Sequence, residues 1–176
     1  MVAWELTRNC NLNCIHCRAA ATLGPHTGEL GTDQCRSIID DISSFASPTI
    51  ILTGGEPLLR DDIFDIIEYG SKKGLRLVMA INGTLLDKRK GKALKEKGIM
   101  RISLSLDGKD SESHDSFRGV KGSYSSVMDA SRILASVDVP FQINTTVTRL
   151  NIDDLLHIYN LVKSIGACAW HIFLLV

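Results

Sequence analysis

The sequence has no apolar run approaching the roughly 20 residues that a membrane-spanning helix needs. Its N-terminus lacks the basic, apolar and small-residue order of a secretory leader. Neither sign of charge is in excess, with 20 Lys and Arg against 20 Asp and Glu, so nothing overall draws the chain to nucleic acid or to an anionic bilayer. Aromatic residues are only 6% of the chain, so its core must be built mainly from aliphatic side chains. These absences lead us to expect a cytoplasmic protein with no nucleic-acid and no membrane partner. What is present, 44% hydrophobic residues in 176, suits one domain with a substantial core.

Cysteine is distributed unevenly. Of five, three fall within Thr7-Arg-Asn-Cys10-Asn-Leu-Asn-Cys14-Ile-His-Cys17-Arg18, directly after the apolar run Val2 to Leu6. In a chain without a secretory leader, such a cluster reads as metal or redox chemistry rather than a disulfide framework. Thiolates hold iron–sulfur cubanes, normally one per iron, so three would leave one iron free for another molecule. A zinc reading competes, because His16 lies between Cys14 and Cys17 and a Cys3His set is a known zinc site. Its spacing is awkward: His16 adjoins Cys17, and neither His26 nor Cys35 supplies a convincing second ligand pair. Cys35 and Cys168 are expected to fill core space as small hydrophobes.

The remaining pattern alternates short β-branched runs with longer helical ones, the signature of a parallel α/β layout. Strands are expected at Val2 to Leu6, Thr49 to Leu52, Leu75 to Ile81, Arg101 to Leu106, Phe141 to Val147 and Trp170 to Leu175. Helices are expected at Thr32 to Phe45, Asp61 to Lys73, Asp87 to Lys97, Ser123 to Ser136 and Ile152 to Ser164, with Thr32 as an N-cap and Gly74 and Gly98 just past two helix ends. Six such repeats make an open, curved part of a barrel with outer helices, whose function belongs at the C-terminal ends of its strands. No helix follows the last strand, and the chain reads as a core domain, residues 1–176, of a longer protein.

The loops at those strand ends carry the polar residues. Gly54-Gly55-Glu56-Pro57 follows strand two; its glycines let backbone approach a ligand and Glu56 offers a carboxylate to an ammonium group, or the string is simply a tight turn. Asn82 ends strand three. Ser103, Ser105 and Asp107 share one face of strand four, as Asn144 and Thr146 do on strand five. Arg118 has the geometry to clamp a carboxylate with paired hydrogen bonds.

Taken together, the Cys10, Cys14, Cys17 spacing and the Gly54-Gly55-Glu56-Pro57 loop resemble those of the radical S-adenosylmethionine enzymes. The resemblance implies a partial (β/α)6 barrel in which Cys10, Cys14 and Cys17 bind a [4Fe-4S] cluster, with S-adenosylmethionine on the fourth iron. It also implies that Gly54, Gly55 and Glu56 meet the methionyl amine and that Ser105, with Asn82 or Asn144, faces the ribose. Arg118 is then a candidate for the methionyl carboxylate, while His16 and Leu174 approach the adenine. The stretches Trp4 to Cys10, His16 to Ala21, Leu52 to Arg60 and His171 to Val176 look like the radical enzymes of haem d1 and alternative haem synthesis. That subfamily implies a tetrapyrrole substrate, modified at its propionates, and a flavodoxin or ferredoxin as reductant. Related maturases act on peptides, and a non-catalytic metal-binding module is the alternative from outside enzymology.

Overall fold

A computed structural model describes residues 1–175. Six strands run in the order β1 (Val2–Glu5), β2 (Thr49–Thr53), β3 (Arg76–Ile81), β4 (Ile99–Ser105), β5 (Phe141–Val147) and β6 (Ala169–Leu174). They form one sheet in which every strand lies parallel beside its neighbour in sequence. Helices α1 (Thr32–Phe45), α2 (Ile63–Lys72), α3 (Lys88–Lys97), α4 (Ser111–Arg118), α5 (Ser123–Ser136) and α6 (Leu155–Ser164) fill the crossovers. Right-handed crossovers that always step in the same direction place all their helices on one side of the sheet. The sheet curls into a half-barrel, as expected.

Burial follows from that winding. Leu52, Leu77, Met79, Ile102, Leu104 and Ile143 point from the strands into one core with Ile39 of α1, Ile66 and Ile67 of α2, Val127 and Leu134 of α5, and Ile158 and Val162 of α6. The opposite face of the sheet is polar toward its later strands. In register across it lie Ser105, Asn144 and His171, and one row below, Ser103 and Gln142. Gln142 Nε2 donates to Asn144 Oδ1 at 2.9 Å and lies 3.0 Å from His171 Nδ1.

The sequence reading needs four corrections. Thr32 does not cap α1: the N-cap is Gly31, and Thr32 Oγ1 donates to Asp62 Oδ2 at 2.6 Å. The segment from Ile152 opens as a 3-10 turn, Ile152–Asp154, before α6. Helix α4 was not anticipated, because Ser111 to Phe117 has almost no apolar periodicity. Its ends carried the signal: Asp110 Oδ1 accepts from Ser113 N at 2.9 Å, and Gly119, at φ +71°, caps the C-terminus. Cys35 is fully buried, whereas Cys168 is exposed and fills no core.

Ile66 is wholly buried between α2 and the sheet. Ile66→Ala is expected to cost about 2–5 kcal/mol, read as a lower urea midpoint with an unchanged denaturant slope.

Candidate metal and cofactor site

The three clustered cysteines lie in the segment 6–31, which contains neither helix nor strand. Local bonds shape it. Thr7 Oγ1 accepts from Asn9 N at 2.9 Å and donates to Glu29 at 2.8 Å, while Asn9 Oδ1 accepts from Gly24 N at 3.1 Å. Cys10 N and Thr22 N exchange bonds with Thr22 O and Arg8 O, folding the segment back on itself.

Backbone packed against backbone holds this segment over the sheet. Gly55 N donates to Thr7 O at 2.7 Å and Glu56 N to Asn9 O at 2.8 Å. A side chain on Gly54 would run into the Thr7 carbonyl, and one on Gly55 into the Asn9 carbonyl. On the other flank the last carbonyls of α4, otherwise orphaned by the end of the helix, accept from Ile15 N and Asn13 N at 3.2 Å each. There too a side chain on Gly119 would strike the Asn13 carbonyl. Asn82 Nδ2 and Thr84 Oγ1 tie Asn11 down at 2.8 and 2.7 Å. Asn11 and Thr84 were not anticipated as site residues.

Each clustered sulfur faces an N–H donor. Leu12 N lies 3.5 Å from Cys10 Sγ, Ala21 N 3.4 Å from Cys17 Sγ, and Arg118 Nη1 3.6 Å from Cys14 Sγ. Cys35 is arranged oppositely: its thiol is the donor, toward Leu30 O at 3.9 Å. Donors aimed at sulfur suit thiolates, the metal-binding form. Burial pushes the Cys10 thiol up from its ordinary value, the Leu12 N–H working against it, so the free protein keeps this thiol protonated until a metal takes the proton's place. Among the described residues no three His, Cys, Asp or Glu side chains gather closely enough to hold a single metal ion. Three cysteine sulfurs, each met by its own N–H donor, are the donor chemistry of an iron–sulfur cluster.

Glu56 differs from expectation. It is completely buried, and its two carboxylate oxygens accept from Leu58 N at 3.0 Å and Asn82 N at 2.7 Å rather than facing outward. Burial pushes its carboxyl up to about 7, the two backbone N–H bonds limiting the rise. The carboxylate therefore builds the turn. The groups left for an ammonium are the carbonyls of Gly54 and Gly55, which accept no hydrogen bond among the described residues.

Arg118 is likewise engaged. Its guanidinium pairs with Asp107 as well as reaching Cys14, so a two-pronged clamp on a carboxylate is not free in this arrangement; its Nε is buried without a partner. Burial opposes its charge, and Asp107 and Cys14 more than offset that. Asp107, fully buried, is fixed from β5 by Thr146 N at 2.7 Å, and its own N–H donates to His114 Nδ1 at 3.1 Å. The His16 ring packs on Phe117 at 4.4 Å, and its buried Nδ1 lacks a partner. Burial, with Arg118 nearby, lowers its pKa.

The structure thus brings together Cys10, Cys14, Cys17, Gly54, Gly55, Glu56, Asn82, Arg118 and His16. Asn82 is spent on Asn11 and Thr84, its Nδ2 4.0 Å from Cys10 Sγ. Ser105 and Asn144 pair in register on the polar face. Leu174, at the end of the edge strand, is 72% exposed and joins none of these contacts; the last residue of the motif ending at Val176 lies outside the described residues.

Three cysteine sulfurs, each facing an N–H donor, on a loop at the C-terminal ends of an open parallel sheet, define a protein built to hold an iron–sulfur cofactor. The sequence profile described as the radical SAM superfamily matches residues 4–162, and the chain belongs to that superfamily, whose enzymes use a [4Fe-4S] cluster and S-adenosylmethionine. It is 46% identical over its whole length to AdoMet-dependent heme synthase of Methanosarcina barkeri, covering 50% of that protein. It is 47% identical to the enzyme of that name from Nitratidesulfovibrio vulgaris, covering all of this chain and 48% of the relative. The chain therefore spans about half the length of these relatives. In fold it is similar to Streptococcus suis SuiB bound to S-adenosylmethionine, with a TM-score of 0.85 at 15% identity over 98% of this chain and 40% of that one.

Two outcomes test the local geometry. Glu56→Gln turns an N–H toward a backbone N–H, and is expected to cost about 1–3 kcal/mol in urea unfolding at pH 8. His114, pushed down to about 4 chiefly by burial, is neutral when folded and protonates on unfolding. Its contribution is intact above about pH 6.5 and is lost as pH falls toward 4, by up to about 3 kcal/mol. His114→Asn keeps an acceptor that does not titrate, so comparing unfolding at pH 7 and 4.5 should show a smaller acid loss in the variant.

Proposed function

We propose that this chain is the radical-generating part of an enzyme that modifies the propionate side chains of a tetrapyrrole, as in haem or haem d1 synthesis. The observation that carries the radical chemistry is the set of three sulfurs, each met by an N–H donor, beside the free carbonyls of Gly54 and Gly55. When bound, the cluster and S-adenosylmethionine supply reductive cleavage of the sulfonium to a 5'-deoxyadenosyl radical that takes hydrogen from the substrate.

The residues present divide the remaining work. Cys10, Cys14 and Cys17 hold the cluster, and the Gly54 and Gly55 carbonyls accept from the methionyl ammonium. Ser105 and Asn144 offer hydroxyl and amide groups on the polar sheet face for the ribose, and His16 with Phe117 presents an aromatic flank to the adenine. A low-potential reductant such as flavodoxin or ferredoxin goes with this reading. So does a cytoplasmic location, where thiols stay reduced.

The tetrapyrrole substrate is supported by the ranking of relatives. Proteins named AdoMet-dependent heme synthase are 46–47% identical to this chain, Fe-coproporphyrin III synthase of Methanosarcina barkeri 37%, and pre-heme d1 synthase of Dinoroseobacter shibae 34%. A relative with a different name, mycofactocin maturase MftC of Mycolicibacterium smegmatis, stands lower, at 30%.

Anaerobic reconstitution of the full-length protein with iron and sulfide, then dithionite and S-adenosylmethionine, should yield 5'-deoxyadenosine. Cys14→Ala should lose the cluster and at least 100-fold in that yield; unchanged iron and sulfide would refute the site. Turnover with a precursor peptide but not with an iron-coproporphyrin would overturn the tetrapyrrole assignment.

A further inference from the structure

The guanidinium of Arg118 is one hydrogen bond from a cluster cysteine, and it arrives there as half of an ion pair. Arg118 is 9% exposed and Asp107 fully buried. The carboxylate is held independently of the arginine, by Thr146 N at 2.7 Å. The Asp107 backbone is held by His114 Nδ1 at 3.1 Å and by Asn151 Nδ2 at 2.8 Å. From this fixed point the arginine extends to Cys14 Sγ at 3.6 Å. β4, β5, α4 and the cysteine segment meet at these two side chains.

A lone buried guanidinium here would favour the reduced, more negative cluster twice over, by its N–H and by its charge, and both raise a cluster's potential. The low local dielectric would amplify the second effect. Reductive cleavage of a sulfonium needs the opposite, a strongly reducing cluster. Asp107 cancels the charge and leaves the N–H donor in place. We propose that Asp107 is a positioning residue that presents Arg118 to Cys14 as a net-neutral hydrogen-bond donor and so keeps the cluster's reduction potential low. The inference rests on the radical SAM reading above. The event it governs is transfer of one electron from an external reductant to the cluster, with no bond made or broken in the protein.

The test is a potentiometric titration of the cluster-loaded full-length protein with dithionite, followed by electron paramagnetic resonance, without S-adenosylmethionine. Asp107→Asn leaves the cation uncompensated and should raise the midpoint potential. Arg118→Met leaves the anion uncompensated and should lower it. The double variant removes both charges and also the N–H donor to Cys14, so it should lie above Arg118→Met and below wild type by the donor's share alone. A purely structural role would not produce shifts of opposite sign in the two single variants. Where Asp107→Asn fails to fold because a buried guanidinium is left unpaired, the double variant must still lie above Arg118→Met. Equal potentials in all loaded proteins, or shifts of one sign in both single variants, overturn the inference. Failure of the wild-type protein to take up a cluster would instead refute the reading on which it rests.

Discussion

The close approach of two backbones is the constraint on which the site depends. The segment 6–31 has no regular structure to hold its shape, yet its three sulfurs must keep fixed positions. The fold supplies that rigidity by pressing the segment between the turn after β2 and the end of α4. Both surfaces are main chain, and both are open only because Gly54, Gly55 and Gly119 carry no side chain. Hydrogen bonds from Gly55, Glu56, Asn13 and Ile15 then fix the register of the segment on either side. The cysteines inherit their geometry from glycines distant in sequence.

Buried charge follows from the same packing. Glu56 and Asp107 are completely enclosed, and each spends its carboxylate on backbone N–H groups as well as, for Asp107, on Arg118. An enclosed carboxylate without such partners would be costly. Here each ties together the C-terminal ends of neighbouring strands: Glu56 links the β2 and β3 ends, and Asp107 links β4, β5 and α4. Both carboxylates are joints of the scaffold, although their place at the strand ends invites reading them as ligand contacts.

Much of this was legible in the sequence. Periodicity marked all six strands, with β5 at its observed limits of Phe141 and Val147, because a parallel sheet covered by helices produces dense β-branched runs. The cysteine triad was legible from spacing alone. Partnerships across the fold were not: nothing local to Glu56 reveals that Asn82 N will meet its carboxylate, and nothing local to Arg118 reveals Asp107. Helix α4 carries no apolar stripe to mark it, and its ends are fixed instead by the Asp110 cap and Gly119. Cys168 was misplaced because cysteine's general preference for cores says nothing about a turn just before an edge strand.

The sulfur-to-guanidinium contact joins residues 104 positions apart in the chain, and it gives the site a definite order in time. A ribosome adding about 5–20 residues per second makes Cys14 roughly 5 to 20 s before Arg118. The thiols therefore emerge first and their clamp last. Until Arg118 has been made, Cys14 lacks the donor that faces it in the folded chain.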